Sequence, residues 1–193
     1  MKAVIYPSRL SGEIPAIASK SQAHRLLICA ALADRPTEVK CATVSADITA
    51  TAACLNALGA RIERGDGVFS VQPIRELPEK AVIDCGESGS TLRFLLPVVC
   101  ALGVETAIIL HGRLPARPLS PLWEALERHG ARLSRPTADT IAVSGRIGGG
   151  TYALAADVSS QFISGLLFAL PLTGERGRIE LTGTLESASY IEM

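Results

Sequence analysis

A repeated module constrains the fold of this 193-residue chain more than any other feature. Residues 19–27, 87–96 and 159–167 each carry serines or glycines ahead of an apolar run with a Leu-Leu pair. The three segments lie about 70 residues apart, and the pattern of residues 57–62 returns at residues 128–133. Self-similarity at such a spacing means that each unit is one supersecondary module. The sequence therefore predicts an α/β protein made of repeated units.

Hydrophobic periodicity and turn signals place helices and strands in the same order within each unit. Helices are predicted at residues 20–33, 47–58, 91–102, 119–129 and 159–170, with Asp47 as an N-cap and Pro118 as a first helical residue. Strands are predicted at residues 1–6, 37–43, 61–64, 68–71, 106–110, 132–134, 140–143 and 178–182.

The third unit is shorter than the other two. It has a helix and a strand, and its second helix is expected to begin near Ser187, close to the last residue. A strand without a following cover leaves apolar surface and unpaired edge groups. The pattern predicts an incomplete third unit and a sequence that is part of a longer protein. The alternative is a natural protein of two and a half units whose end is covered by a partner.

Charge and cysteine content argue against several classes of function. Lys plus Arg and Asp plus Glu each number 19, so no diffuse basic field favours nucleic acid or a membrane surface as a partner. No apolar run reaches the length that spans a bilayer. The cysteines are odd in number and lack metal-ligand spacing, which predicts buried free thiols, a reducing cytoplasmic location and no metal site. They are Cys29, Cys41, Cys54, Cys85 and Cys100.

The first of the three helix starts combines a cation with serines. Lys20 follows Ser19, and Arg25 lies one turn after Ser21. Helical side chains lean toward the N-terminus, so Arg25 can reach back over the free N–H groups of the first turn. Such a cluster suits a phosphate or a carboxylate. The alternative is a serine N-cap with two solvated cations.

The second helix start offers a close backbone approach and two arginines. Gly89 has no Cβ and lets a ligand lie against the main chain. Arg93 repeats the position of Arg25, although it could also tie helix to loop. Arg117 precedes a predicted helix, where a cation opposes the helix dipole unless an anion is bound, and it is therefore a better candidate than Arg113.

The third helix start is polar without being charged. Ser159, Ser160 and Gln161 offer two hydroxyls and an amide, which suits a polyol next to a phosphate. Simple capping would explain one of the serines. No nucleophile motif accompanies the histidines, which are expected to be structural: His24, His111 and His129.

Taken in order, residues 19–25, 84–93, 112–119 and 158–162 resemble the 5-enolpyruvylshikimate-3-phosphate synthase family. The resemblance implies transfer of the enolpyruvyl group of phosphoenolpyruvate to the 5-hydroxyl of shikimate 3-phosphate, with release of phosphate and without a cofactor. It also implies an inside-out α/β globule of βαβαββ units, with helix N-termini aimed at a cleft between two globules. Residues 17–193 would form one incomplete globule, and residues 1–16 a strand and connection of the other.

The resemblance also assigns site residues. For shikimate 3-phosphate it implies Lys20, Ser21, Arg25, Ser159, Ser160, Gln161, Ser187 and Tyr190. For phosphoenolpyruvate it implies Lys20, Gly89, Arg93, Arg117 and Gln161. Lys20 touches both ligands in this assignment and is the candidate catalytic residue.

Two departures from the family pattern affect these expectations. Glu87 and Ser88 stand where the best-known members have Asn-Ala, and Ala18 replaces a glycine or proline-type residue. The family's chain is also about twice as long, and its proton-shuttling carboxylates and further cations lie in the half that is missing here. We therefore expect this chain to be inactive alone and to need that half as a partner.

Two other functions stay open. The sister enolpyruvyl transferase that acts on UDP-N-acetylglucosamine shares the fold, but its first helix usually starts Lys-Asn. It also carries a reactive cysteine in the loop that here spans residues 111–118, which has none. The second alternative is a non-catalytic anion-binding module.

Overall fold

The computed structural model describes residues 3–9, 11–14, 16–155, 159–183 and 187–193. Its helices are α1 Lys20–Ala31, α2 Ala46–Ala57, α3 Gly89–Leu102, α4 Leu122–Arg128, α5 Ser160–Ala169 and α6 Ala188–Glu192, with 3-10 turns at Leu114–Ala116 and Leu170–Thr173. Its strands are β1 Thr37–Lys40, β2 Arg61–Arg64, β3 Val68–Gln72, β4 Lys80–Asp84, β5 Glu105–Ile109, β6 Ala131–Thr137, β7 Thr140–Gly145, β8 Gly150–Ala155 and β9 Gly177–Thr182.

The strands form three sheets, one for each repeat. The first has the order β1-β3-β2 and is antiparallel, and the second has the order β4-β5-β7-β6. Strands β4 and β5 pair in parallel across α3, as β8 and β9 do across α5. A parallel pair needs a crossover, and a helix supplies it here. Elements β4 to β7 form one complete βαβαββ unit, so the predicted fold class is confirmed.

Helix α3 packs against both α1 and α5. Nearly every residue of α3 is buried, which is typical of a helix surrounded by protein on all sides. Helix α5 crosses α3 closely at Gly165, where an added Cβ would lie 2.8 Å from Cγ of Pro97. This packing brings the N-termini of these helices to the same region of the protein, because hydrogen bonds link the first turns of α1, α2, α3 and α5.

The predicted strand at residues 1–6 is wrong where the structure describes it. Residues 3–6 have no regular structure, and Val4, Ile5 and Tyr6 are 74%, 90% and 79% exposed. A segment of this kind forms a strand only when it finds a neighbour to pair with, and these residues find none within the described part of the chain. Met1 and Lys2 lie outside the described residues. Assignment of residues 1–16 to another globule remains a prediction.

Two residue roles predicted at helix starts are wrong. The N-cap of α2 is Ser45, whose Oγ accepts a hydrogen bond of 3.4 Å from the N–H of Ile48, whereas Asp47 lies in the first turn. Helix α4 begins at Leu122, so Pro118 is not its first residue. The residue before a proline avoids the α conformation, and Pro121 therefore keeps the helix from extending back through Ser120.

Smaller differences concern strands and one cysteine. The predicted strand at residues 37–43 ends at Lys40, and no bounds were predicted for β4 and β8. The cysteines are free, and four of them are buried as expected, but Cys29 is exposed. In the described ranges, no helix has the length and apolar character needed to cross a bilayer.

Candidate functional site

At the first helix start Lys20 lies beside Asp47, a residue that the sequence predicted to be an N-cap. Ser19 caps α1, accepting a hydrogen bond of 3.3 Å from the N–H of Gln22. The Nζ of Lys20 lies 2.6 Å from Oδ2 of Asp47, at the start of α2, and the lysine side chain is 51% exposed. Because Asp47 is not a cap, its carboxylate is free to orient this ammonium. The lysine remains accessible from outside.

Arg25 leans back along α1 as predicted, and three of the five N–H donors of its guanidinium already have acceptors. Its NH1 donates to the carbonyl of Ser21 at 3.0 Å, and its NH2 to Oγ of Ser164 and to the carbonyl of Tyr190 at 2.7 and 2.8 Å. The guanidinium also lies 4.8 Å from the ring centre of Phe94. Burial lowers the pKa of Arg25. Arg25 therefore joins α1 to α5 and α6 in this conformation.

The second helix start brings two guanidinium groups together over Gly89. Ser88 caps α3, and a Cβ added to Gly89 would lie 2.7 Å from NH1 of Arg117 and 3.7 Å from NH1 of Arg93. Burial and the charge of Arg117 lower the pKa of Arg93. Two cations beside a helix N-terminus repel each other and the helix dipole. The arrangement is therefore suited to an anion.

The position of Arg117 corrects the reason given for choosing it. Sequence reasoning placed Arg117 at the N-terminus of the following helix, but α4 begins only at Leu122. Arg117 instead ends the 3-10 turn Leu114–Ala116, donating its N–H to the carbonyl of Leu114 at 3.1 Å. That turn carries the guanidinium back to the start of α3. The helix terminus involved is thus earlier in the chain, not later.

Gln161 connects the second and third helix starts. Its Oε1 accepts a hydrogen bond of 2.8 Å from NH1 of Arg93, and its Nε2 donates to Oγ of Ser90 at the same distance. Ser159 caps α5 through the N–H of Gln161, and Ser160 is the first residue of that helix. The predicted residues of these two starts are therefore brought together, with Ser90 as a member that sequence reasoning missed.

Ser187 and Tyr190 lie apart from the pair of arginines. Both belong to the short segment of α6, where Ser187 has a left-handed backbone with φ 56° and makes no capping bond with its side chain. Tyr190 and Arg25 line a cavity of about 170 Å³ between α1, α5 and α6, together with apolar residues such as Leu167 and Phe168. The structure thereby brings Tyr190 next to Arg25, which donates to its carbonyl.

The histidines and carboxylates that the structure describes do not cluster in groups of three. In the part of the chain that the structure describes, no three His, Cys, Asp or Glu side chains lie close enough to share a metal ion. His129 follows the C-terminal end of α4, where its Nδ1–H donates to the carbonyl of Ala125 at 2.7 Å. His111 lies 3.0 Å from Asp84 at the surface. The chemistry available is therefore anion binding by arginines, a lysine, hydroxyls and an amide.

Comparison with known proteins gives one family. The family model described as EPSP synthase (3-phosphoshikimate 1-carboxyvinyltransferase) matches residues 4–193. A 3-phosphoshikimate 1-carboxyvinyltransferase of Clostridium botulinum (strain Alaska E43) is 39% identical over 98% of this chain and 45% of its own length. One from Clostridium kluyveri is 37% identical with the same coverages. The chain thus spans about half the length of these curated relatives.

Solved structures show the same fold. An EPSP synthase from Acinetobacter baumannii superposes with a TM-score of 0.73 at 20% identity, covering 94% of this chain and 42% of that one. The enolpyruvyl transferase NikO from Streptomyces tendae superposes with a TM-score of 0.56 at 19% identity, covering 86% of this chain and 39% of its own. At such low identity these likenesses establish the fold alone.

Proposed function

We propose, from the premise that this chain belongs to the EPSP synthase family, that it carries part of a site that transfers the enolpyruvyl group of phosphoenolpyruvate to shikimate 3-phosphate. The observation that supports this most directly is the meeting of Arg93 and Arg117 over Gly89. Both substrates are anions, and such a pair of cations at a helix N-terminus needs one.

Phosphoenolpyruvate occupies the start of α3 in this proposal. Two guanidinium groups offer forked donors that match a carboxylate or phosphate, and the N–H groups at the helix N-terminus add partial positive charge. Gly89 allows the ligand to approach the main chain, because a Cβ would fill the space beside Arg117. Gln161 holds Arg93 in place through its Oε1. Preorganised charge of this kind stabilises a phosphate as it leaves.

Shikimate 3-phosphate occupies the space between the first and third helix starts. Lys20 is exposed and lies at this edge, where its ammonium can contact both substrates. Ser159, Ser160 and Gln161 supply uncharged hydrogen bonds for the hydroxyls of the ring. We assign Lys20 a catalytic role, in which its ammonium stabilises the negative charge on the phosphate as it is released.

The remaining proposed contacts require a local exchange. Ser21, Arg25, Ser187 and Tyr190 complete the set for shikimate 3-phosphate. We propose that the NH2 group of Arg25, which donates to the carbonyl of Tyr190 and to Ser164, exchanges that carbonyl for the phosphate group. A charge-assisted bond to phosphate is stronger than one to a carbonyl, which makes the exchange favourable.

The reaction also needs groups that the helix starts do not provide. The transition state develops positive charge on the enol ether carbon, and its methylene must take up a proton. We propose that the carboxylates for this step come from the part of the relatives' length that this chain does not span. The proposal includes a cytoplasmic location, no cofactor and no nucleic acid or membrane partner. The chain alone is therefore expected to bind substrates and to release no phosphate.

Calorimetry tests the proposal. Shikimate 3-phosphate is titrated into the chain, followed by phosphoenolpyruvate at saturating shikimate 3-phosphate, and UDP-N-acetylglucosamine serves as the competing ligand. Arg117→Gln is expected to weaken phosphoenolpyruvate binding about tenfold or more, since a hydrogen bond to a charged group contributes about 1.5–3 kcal/mol. Arg113→Gln, in the same loop and exposed, is the matched control and should leave the affinity unchanged.

Each outcome separates the candidates. Binding of the UDP-sugar in place of shikimate 3-phosphate favours the sister transferase, and binding of neither favours a non-catalytic module. Phosphate release from both substrates is measured with the chain alone. Turnover near that of a full-length relative would contradict the expected need for the other half.

A further inference from the structure

Four buried polar side chains from three helices form one continuous hydrogen-bonded chain. Nδ1 of His24 lies 2.7 Å from Oγ1 of Thr51, which lies 2.7 Å from Oγ1 of Thr91, and that hydroxyl donates to Oγ of Ser88 at 2.7 Å. None of the four is more than 1% exposed. Such a network in the protein interior is costly unless its members satisfy one another. We call it the His24–Ser88 network.

The direction of the donors follows from counting hydroxyl protons. Thr91 has one, and its acceptors are Oγ of Ser88 at 2.7 Å and the carbonyl of Asp47 at 3.3 Å. With the Thr91 proton donated to Ser88, as the geometry of that bond assigns it, Thr91 accepts from Thr51, whose single proton is then used. Thr51 in turn must accept from His24. The imidazole is thus the tautomer with its proton on Nδ1, and its Nε2 is bare.

The other ring nitrogen agrees with this tautomer. Nε2 of His24 is buried and has no hydrogen-bond partner within the described residues. The tautomer with a bare Nε2 avoids burying an N–H donor without an acceptor. Burial lowers the pKa of His24 to about 4, with the Asp47 carboxylate opposing this shift and Lys20 and Arg25 adding to it. The ring is accordingly neutral at pH 7.

The network connects the two helix starts at which we propose that the substrates bind, those of α1 and α3. His24 lies one turn after Lys20 in α1, and Thr51 one turn after Asp47 in α2. At the other end Ser88 caps α3 directly before Gly89. Hydrogen bonds are directional, so they fix the distance and rotation between these turns more sharply than apolar packing does.

We propose that His24 and Thr51 are positioning residues. They fix the start of α1, which carries Lys20, at a set distance and orientation from the start of α3, which carries Gly89. This inference rests on the proposed function of the site. The network does not contact the substrates. It acts on them indirectly, through Ser88 beside Gly89 and through Asp47 beside Lys20. Loss of the network shifts the starts of α1 and α3 relative to each other, and a reaction between two bound substrates is sensitive to such a shift.

The test uses Thr51→Val, which keeps the side-chain shape and removes the hydroxyl. Thr51→Ser restores the hydroxyl. Thr106→Val is the matched control, because Thr106 is 3% exposed and its hydroxyl donates to the carbonyl of Val104 at 2.9 Å in β5. Affinity for phosphoenolpyruvate at saturating shikimate 3-phosphate, thermal midpoint and ¹⁵N shifts of the His24 ring are measured for each protein.

Thr51→Val is expected to weaken phosphoenolpyruvate binding about tenfold, while Thr106→Val and Thr51→Ser stay within about threefold of the unchanged chain. A merely structural role would lower the thermal midpoints of both valine variants and leave both affinities alone. The ring shifts should show a proton on Nδ1 in the unchanged chain.

The outcomes are distinguishable. If the unchanged chain binds neither substrate, the proposed function is refuted and the positioning role falls with it. If it binds both and Thr51→Val binds equally well, only the positioning role is refuted. A proton on Nε2 of His24 in the unchanged chain would overturn the network itself, and this measurement needs no variant that folds.

Discussion

Replacement of His24 by asparagine should flatten the dependence of stability on acid pH. The imidazole is 0% exposed, and desolvation lowers its pKa from 6.5 to about 4. An asparagine amide places its Nδ2 near the position of the imidazole Nδ1 and can donate to Thr51, but it does not titrate. The substitution therefore removes the proton uptake while retaining the first hydrogen bond of the network.

The sign and size of the effect follow from linkage. The unfolded chain takes up a proton on this ring below pH 6.5, and the folded chain only below about pH 4. Between these values the unfolded state binds more protons, so stability falls as the pH falls. At 1.36 kcal/mol for each unit of pKa, the full loss is about 3 kcal/mol, of which about 2 kcal/mol occurs between pH 7 and pH 5.

Urea denaturation followed by the fluorescence of Trp123, the single tryptophan, measures the effect. Free energies of unfolding are compared for the unchanged chain and His24→Asn at pH 7, 6 and 5. Other acid-sensitive groups cancel in the difference, such as Asp84, whose pKa is lowered by a hydrogen bond from the N–H of Gly86. The difference between the two proteins should change by about 2 kcal/mol from pH 7 to pH 5. Parallel curves would refute the assignment of a buried, uncharged His24.

Two further substitutions test packing and charge. Gly165→Ala should lower the free energy of unfolding by about 1–3 kcal/mol in urea denaturation, because the new methyl group meets the main chain of α3 and forces α3 and α5 apart. Lys20→Met should weaken the binding of both substrates about tenfold or more in calorimetry, since it removes a cation and leaves the carboxylate of Asp47 facing two anions. Addition of Asp47→Asn should restore part of that loss.

Controls for these variants lie elsewhere in the chain. Gly65→Ala introduces a methyl group where nothing lies within 4 Å, and it should change the stability by less than about 0.5 kcal/mol. Lys80→Met removes an exposed ammonium that lies 3.0 Å from Glu105 on the second sheet, and substrate affinity should not change. Equal losses for Gly165 and Gly65, or for Lys20 and Lys80, would contradict the two predictions.

Much of the fold is visible in the sequence because it repeats. Serines and glycines ahead of an apolar run indicated the starts of α1, α3 and α5, and these local signals need no knowledge of the rest of the chain. The strand expected at residues 1–6 shows the limit of such signals. The residues of one segment can favour a strand, but pairing depends on a neighbouring strand that the segment itself does not identify.

The candidate site was less predictable because its key contacts join distant segments. Local capping rules assigned Asp47 to the N-cap of α2, although Ser45 takes that role and Asp47 pairs with Lys20 across two helices. In the same way Arg117 was judged by the helix that follows it, whereas its guanidinium lies at the start of α3. Neither contact follows from local spacing, since each depends on how the helices pack.

The distribution of charge shows why the start of α3 is the strongest anion site of the three. Lys20 is largely compensated by Asp47, and Arg25 is buried and bonded to carbonyls. Within the described residues, neither Arg93 nor Arg117 has a carboxylate within 4.0 Å. Uncompensated positive charge therefore concentrates beside Gly89, where the N–H groups at the helix N-terminus add to it. An anion with several charges relieves more repulsion at the start of α3 than at the other two helix starts, and this is the place that we propose for phosphoenolpyruvate.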